Sequence, residues 1–455
     1  MDNPNPLKNT AASAPPRAIR ILIINQSFWP DVVATAQQAH DLAKELTARG
    51  DQVTVIASRS LYGQAGATLA KNEVKDGITI HRVSRNLFRK RGLFTRTIDY
   101  IRFNVACAVR ATVLPRHDAV ICLTTPPFVA LVGLLLQGIK RSRFIFWTMD
   151  LYPDLPVEAG IVIRDSLVHK ALSWLDMTCL RHADCVVTLG RCMRDRILAK
   201  GITPSRVRII RPWSDPCEIP DVPPRTHENQ PTHEPDARLK DSVGSPLPIA
   251  TNPSKWSFNS FREQWGIGNR FVIQYSGNFG LGHDSQTVFD TMLAMKGDDD
   301  IRWVMVGDGV MTPLLVDFVR RHDIRNVIIK PYQPRESLGS LISLGNVHLV
   351  LMVPRFEGVI LPSKLYGVLA AGRPAIFVGP NGSEIAQIIR EENCGVVLDN
   401  GNSKQLRAVI EKLRDTPELA LALGQRGRRA LETKYSMRHA SEAWYQLLHE
   451  SNLME

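Results

Sequence analysis

Cysteine is sparse and unpaired. The seven in 455 residues include no Cys-x-x-Cys and no histidine partner at metal spacing, which argues against a disulfide framework or a zinc site and for a reducing, cytosolic chain. Long apolar runs are missing too. The most apolar stretch, FVALVGLLL (128–136), falls far short of the roughly 20 residues that span a bilayer, so no membrane crossing is expected. The opening residues, MDNPNPLKNTAASAPPR, lack the apolar segment of a signal peptide and read as a disordered tail over 1–18.

What remains is an ordinary globular composition, 44% hydrophobic and 22% charged, in a chain long enough for two substantial domains. Its net charge of +11 is unevenly placed: residues 1–217 carry 30 Lys and Arg against 17 Asp and Glu, and 218–455 carry 26 against 28. One half therefore meets something anionic, whether a membrane face, nucleic acid or a phosphate-bearing substrate. The stretch NLFRKRGLFTRTIDYIRFNVACAVRATVLPR (86–116) mixes arginine with Leu, Phe, Ile and Val, the pattern of a basic amphipathic helix with Phe and Leu inserted into an anionic inner-leaflet surface. Packing of that helix on its own sheet is the alternative. Because the basic residues are interleaved with aliphatic side chains and not with stacking aromatics, nucleic acid is not an expected partner.

Strand and helix patterns alternate along the chain. IRILIINQSF (19–28), QVTVIAS (52–58), ITIHRVS (78–84), DAVICLTT (118–125), RFIFWTMD (143–150) and DCVVTLG (184–190) read as strands, with helices over 35–50, 95–114 and 166–182 and after Pro126-Pro127. Residues 215–255 are rich in Pro, His and polar side chains without periodicity, the signature of a linker with an insertion. Alternation restarts with FVIQYSG (271–277), RWVMVGDG (302–309), NVIIKPY (326–332), VHLVLMV (347–353), PAIFVG (374–379) and GVVLD (395–399), and closes in long amphipathic helices over 403–434 and 436–453. The fold class is therefore α/β, two Rossmann-like domains over 19–215 and 256–435 with parallel sheets facing a cleft. The linker is 216–255, and a helix in 436–455 is expected to pack back on the first domain.

Ligands of such sheets collect at the strand C-terminal ends. There, FVIQYSGNFGLGHD places Ser276, Gly277, Asn278 and His283 in a Gly-rich turn between strand and helix, where backbone N–H groups can approach a phosphate. Glu357 follows the strand VHLVLMV, and Pro362, Ser363, Lys364 and Leu365 open the next helix. Ser363 is placed to cap it, Lys364 to neutralise a phosphate leaving group, and Glu357 to grip a polyol. Across the cleft, Asp150 ends the strand RFIFWTMD and can orient an acceptor hydroxyl or act as its base. Asn25, Ser27, Trp29 and Asp31 follow the first strand as acceptor-side candidates.

The stretch FEGVILPSKLYGVLAAGRP, preceded by YSGNFGLGHD and VMVGDG, resembles the donor domain of glycosyltransferase family 4, retaining enzymes of GT-B architecture. IRILIINQSFWPD, LAKELTARGDQVTVIAS and FWTMDLYPDLPVEAG resemble the acceptor domain of the bacterial branch that builds exopolysaccharide, O-antigen and colanic-acid-type units. The likeness covers 19–215 and 256–450. It implies a retaining hexosyltransferase that moves a sugar from a nucleotide-diphosphate sugar to a polyprenyl-diphosphate-linked saccharide in surface polysaccharide or lipopolysaccharide biosynthesis. Such an enzyme works in the cytoplasm, peripherally attached to the inner membrane.

Two departures stand out. The second glutamate of the family pattern, which usually holds the nucleotide ribose, is Gly367 here, and the Arg and Lys that commonly hold the diphosphate after the first donor-domain strand give way to Asn278 and His283. Lys364, Arg373 and the helix N-terminus are expected to supply the missing charge. No Asp-x-Asp motif occupies a suitable place, DDD (298–300) falling in a loop after a helix, so no metal and no cofactor are expected. Two other functions fit the same chain: a nucleotide-sugar epimerase or hydrolase, which needs a further acid/base pair, and a catalytically weak sugar-nucleotide-binding partner protein, which Gly367 favours.

Overall fold

The computed structural model describes residues 17–61, 68–85, 93–215 and 259–450. The expected linker 216–255, the tail up to residue 16 and the basic residues 86–92 lie outside them. The first sheet comprises β1 (Arg20–Ile24), β2 (Gln52–Ser58), β3 (Asn72–Lys75), β4 (Ile78–Val83), β5 (Ala119–Cys122), β6 (Arg143–Thr148), β7 (Cys185–Thr188) and β8 (Val207–Ile209), in the order β3-β4-β2-β1-β5-β6-β7-β8. Every pairing is parallel except β3 with β4. The second sheet comprises β9 (Phe271–Ser276), β10 (Ile301–Val306), β11 (Val327–Lys330), β12 (Val347–Leu351), β13 (Ala375–Val378) and β14 (Gly395–Leu398), in the order β11-β10-β9-β12-β13-β14, wholly parallel.

The central strands are apolar throughout because helices cover both of their faces: Ile21 to Ile24, Val120 to Cys122 and Leu349 to Leu351 are all buried. Strand order reverses between β1 and β5 and again between β9 and β12, and the crevices where ligands collect open beyond those ends. The loops carrying the expected site residues sit there.

Two strands were not anticipated from the pattern. β3 is a short edge strand joined to β4 by Asp76 and Gly77, both at positive φ, an Asp-Gly hairpin turn. β8 is only three residues long. The single helix expected over 403–434 is two, Ser403–Asp415 and Pro417–Ala430, because Pro417 starts a new helix at a position that tolerates its missing N–H. The final helix, Met437–His449, lies against the first sheet's domain. Trp444 packs edge-on against Trp147 at 4.8 Å, Glu442 pairs with Arg49 at 2.8 Å, and His449 Nε2 stands 3.2 Å from Asp51.

Candidate active site

The Gly-rich turn after β9 is shaped around a lysine. Gly277 has φ 124°, and a Cβ there would stand 2.8 Å from Lys364 Cε. The bare glycine thus lets the Lys364 side chain, rising from helix Lys364–Ala370, lie across the turn. Its ammonium is 3.5 Å from the Asn278 carbonyl oxygen, 3.4 Å from His283 Nε2 and 4.9 Å from the centre of the Tyr275 ring. No carboxylate pairs with it among the described residues, and burial pushes its pKa down to about 8. His283 is held neutral, at about 3, by burial and then by Lys364. The Gly280 N–H and carbonyl oxygen both lie 3.0 Å from His283 Nδ1, and Nε2 is turned to the lysine. Ser276 accepts from Gln274 at 2.8 Å beside them.

Glu357 stands at the end of the short turn Pro354–Phe356 that follows β12. A Cβ on Gly382 would be 2.6 Å from Glu357 Oε1, so the loop after β13 passes directly against the carboxylate. Among the described residues that carboxylate makes no hydrogen bond or ion pair. It also faces the other domain: the Cys192 thiol is raised to about 11 by burial and by the Glu384 and Glu357 carboxylates beside it.

On that opposite side, Asp150 lies in a recess lined by Thr124, Phe128, Thr148, Tyr152 and Asp176. Its carboxylate has no hydrogen-bond or ion-pair partner among the described residues, and desolvation raises its pKa to about 6. Asp176 shares the recess but is bound to Lys200 at 3.2 Å, with Asp154 on the same lysine at 2.7 Å. Lys364 and Glu357 thus stand beyond strand ends of the second domain and Asp150 beyond a strand end of the first, where its neighbour Leu151 donates to the Val359 carbonyl at 3.0 Å.

Other expected contributors are elsewhere. Arg373 precedes β13, which puts it at the N-terminal edge of a parallel sheet, away from the cleft; it is buried and donates to the Ser343 carbonyl at 3.0 Å. It cannot supply donor-side charge. Ser363 is in the helical region with φ −64° and makes no capping hydrogen bond. The Pro362 ring and the Leu365 side chain are buried, so Leu365 belongs to the core. Asn25, Ser27 and Asp31 are buried rather than lining an open rim. The Asn25 amide donates to the Ser27 carbonyl at 2.6 Å, and of the four acceptor-side candidates only Trp29, under Lys75, is partly exposed. The triple aspartate also lies at the far end of the second sheet, where Asp298 pairs with Arg414 at 2.7 Å. Among the described residues no group of three or more His, Cys, Asp or Glu is arranged to hold a metal ion.

One cluster escaped sequence reasoning altogether. Glu384, at the start of helix Glu384–Glu392, is 3% exposed and crosses to the first domain, where it accepts from the Arg191 N–H at 2.6 Å and pairs with Arg191 and Arg211 at 3.2 and 3.0 Å. A Cβ at Gly190 would lie 2.7 Å from Glu384, so that glycine makes room for it. Nothing local in the sequence links positions nearly 200 residues apart. Only the glutamate behind a serine cap, Ser383, marks a helix start there.

Known proteins share this architecture. A model of the glycosyl transferase 4-like domain matches residues 33–213. The chain is 21% identical over 379 residues, 81% of its length and 86% of the relative's, to the putative colanic acid biosynthesis glycosyl transferase WcaI of Escherichia coli (strain K12). WaaG, a glycosyltransferase involved in lipopolysaccharide biosynthesis, superposes with a TM-score of 0.63 at 13% identity, over 95% of this chain and 100% of WaaG. Anabaena HepE in complex with UDP-glucose superposes with a TM-score of 0.63 at 12% identity, over 94% of this chain and 99% of HepE. The chain is a glycosyltransferase of the GT-B fold, carrying a glycosyl transferase 4-like domain in its first half.

Proposed function

We propose that the protein transfers a sugar, with retention of configuration, from a nucleotide-diphosphate sugar to a lipid-linked saccharide in bacterial surface polysaccharide biosynthesis. The observation that carries this reading is Lys364: an ammonium with no carboxylate partner among the described residues, laid across the Gly-rich turn after β9. A buried cation without a counter-ion is costly unless an anionic ligand completes it. The diphosphate of the donor is that anion, and a neutral His283 beside the lysine adds no competing charge. The relative named for colanic acid biosynthesis and the GT-B neighbour that holds UDP-glucose support the substrate class.

In this scheme Glu357 binds hydroxyls of the transferred sugar. The bond from the anomeric carbon to the phosphate oxygen breaks as Lys364 stabilises the charge left on the diphosphate. The acceptor oxygen forms its new bond on the same face. Asp150, with a pKa of about 6, orients the acceptor hydroxyl and takes its proton. Lys364 supplies the charge for which a metal is used elsewhere, and no cofactor enters the scheme. The basic first half directs the protein to the cytoplasmic face of the inner membrane, where a polyprenyl-diphosphate saccharide presents its sugar.

Thermal stabilisation by a panel of UDP-, GDP- and TDP-sugars tests the donor site, since a ligand that binds only the folded state raises Tm. A shift with one nucleotide family that disappears in Lys364→Ala is expected. No shift with any of them would overturn the reading.

A further inference from the structure

We infer that the recess around Asp150 seats one uncharged pyranose ring of the acceptor against Phe128 and Tyr152 and rejects sugars that carry a carboxylate, an acceptor class that rests on the transfer reading. Phe128 belongs to the loop between β5 and helix Ala130–Lys140, and Tyr152 to the loop between β6 and helix Asp154–Glu158. Because β5 and β6 are paired neighbours, both loops leave the same C-terminal edge of the sheet. The two rings are half-buried and stand 6.3 Å apart at 60° in the wall of a recess of about 330 Å³, open mouth included. Sites for small organic ligands begin near about 300 Å³, so this one has room for a single ring. One face of a pyranose presents C–H groups, and their positive edges suit the negative face of an aromatic ring.

Phe128 is held there against its backbone preference. Its φ of 64° is in the left-handed region, where a bulky side chain is rare because its Cβ crowds the main chain. The turn is nevertheless fixed on both sides: the Asn104 amide donates to the Pro127 carbonyl at 3.1 Å, and the Leu131 N–H to the Phe128 carbonyl at 3.0 Å. Strain that the surroundings enforce is characteristic of positions that clamp a ligand. The ring so presented is half-buried, and packing into the core does not account for it.

The polar groups favour a sugar over an isoprenoid chain. Burial and then the Asp150 carboxylate push the Tyr152 phenol up, so its hydroxyl stands close to that carboxylate. Thr124 Oγ1 is beside them, accepting from the Asp150 N–H at 3.3 Å. A desolvated carboxylate without a partner is costly, and sugar hydroxyls are donors that satisfy it, whereas an isoprenoid would bury it unpaired. Charge then sets the selectivity. No Lys, Arg or His is among the described residues that line the recess, and Asp176 is already paired with Lys200 at 3.2 Å. A carboxylate on the ligand would meet Asp150 with no cation between them, and like charges in a water-poor recess repel strongly.

Saturation-transfer NMR of the full chain at neutral pH is the test, alone and with saturating UDP, GDP or TDP. The probes are methyl glucoside and methyl galactoside against the matching methyl glucuronide and methyl galacturonide. At least one neutral glycoside should bind, about tenfold or more tighter than its uronide, and Asp150→Asn should remove most of that discrimination. Phe128→Tyr keeps a ring and should retain binding. Phe128→Gly relieves the backbone and removes the ring, so Tm should hold while glycoside affinity falls about tenfold. Absence of glycoside binding, equal binding of the uronides, or undiminished binding in Phe128→Gly would overturn the recess as a sugar site. Farnesyl monophosphate is the control: binding of it but of no glycoside, lost in Phe128→Gly, would reassign the aromatic pair to a lipid chain and overturn the inference. A nucleotide-sugar thermal shift without glycoside binding would leave the transfer reading standing. Glycoside binding without any such shift would overturn the transfer reading and leave a sugar-binding recess.

Discussion

Leu151 and Val359 tie the two halves of the cleft together: the Leu151 N–H donates to the Val359 carbonyl at 3.0 Å. Leu151 is the neighbour of Asp150, and Val359 lies two residues beyond Glu357, so the two carboxylate-bearing loops are fixed in register across the domain boundary. Gly358, at φ 70°, makes the approach possible, because a Cβ there would come within 2.8 Å of the Cys192 carbonyl. The loops carrying Asp150 and Glu357 are therefore joined at this point.

Replacing Glu357 with alanine should abolish most transfer while leaving the fold intact. The carboxylate has no partner among the described residues, so its removal strands nothing. Loss of a group aimed at the reacting sugar typically costs on the order of a hundredfold to a thousandfold in kcat. Turnover and Tm measured together check this; wild-type turnover in the variant would remove Glu357 from the site.

The pH profile follows from two groups. In the proposed transfer Asp150 acts as the carboxylate, so the rate should rise with pH through about 6. In the same proposal Lys364 acts as the ammonium, and its pKa is lowered by burial from 10.5 to about 8, so donor affinity should fall as pH rises through that value. A bound diphosphate favours the charged lysine and shifts this limb upward in the complex. Asp150→Asn should remove the acidic limb of kcat, and retention of that limb in the variant would assign it to another group.

The parallel sheets, their strands and the loops that carry Lys364, Glu357 and Asp150 were legible because each rests on a local pattern: an apolar run, a break at Gly or Pro, and a charged residue at the strand's end. Arg373 was misplaced because the same local pattern does not say which end of the sheet a residue occupies; that depends on its preceding β13 rather than following it. Buried Asn25 and Asp31 mislead for a related reason. A polar residue after a strand reads as exposed, yet here the turn through Ser27 folds over it and its hydrogen bonds are internal. The Glu384 cluster was invisible because it joins segments far apart in the chain.

Gly367→Ala should stabilise the protein by about 0.5–1 kcal/mol. The glycine lies inside helix Lys364–Ala370, its φ is not in the left-handed region, and a Cβ there meets nothing within 4 Å. The gain comes from reduced freedom of the unfolded chain and is read in urea denaturation. A destabilised variant would show that the open space beside Gly367 is needed by the backbone.

Glu384→Ala should be the most damaging of these changes although it alters no residue assigned to the chemistry. The wild-type carboxylate is buried between domains and satisfies the Arg191 N–H and two guanidinium groups. Removing it leaves those donors facing each other without an anion, and breaking such a buried network costs about 3–5 kcal/mol. Arg191 keeps its exposed pair with Glu391 at 2.5 Å, but an exposed pair contributes little. The strain is relieved by parting the domains, so Tm should fall and the radius of gyration in small-angle scattering should rise. Glu384→Gln retains an acceptor without the charge and should lie between the two. A fall in Tm with an unchanged radius would mean that the network stabilises each domain but does not hold the cleft closed.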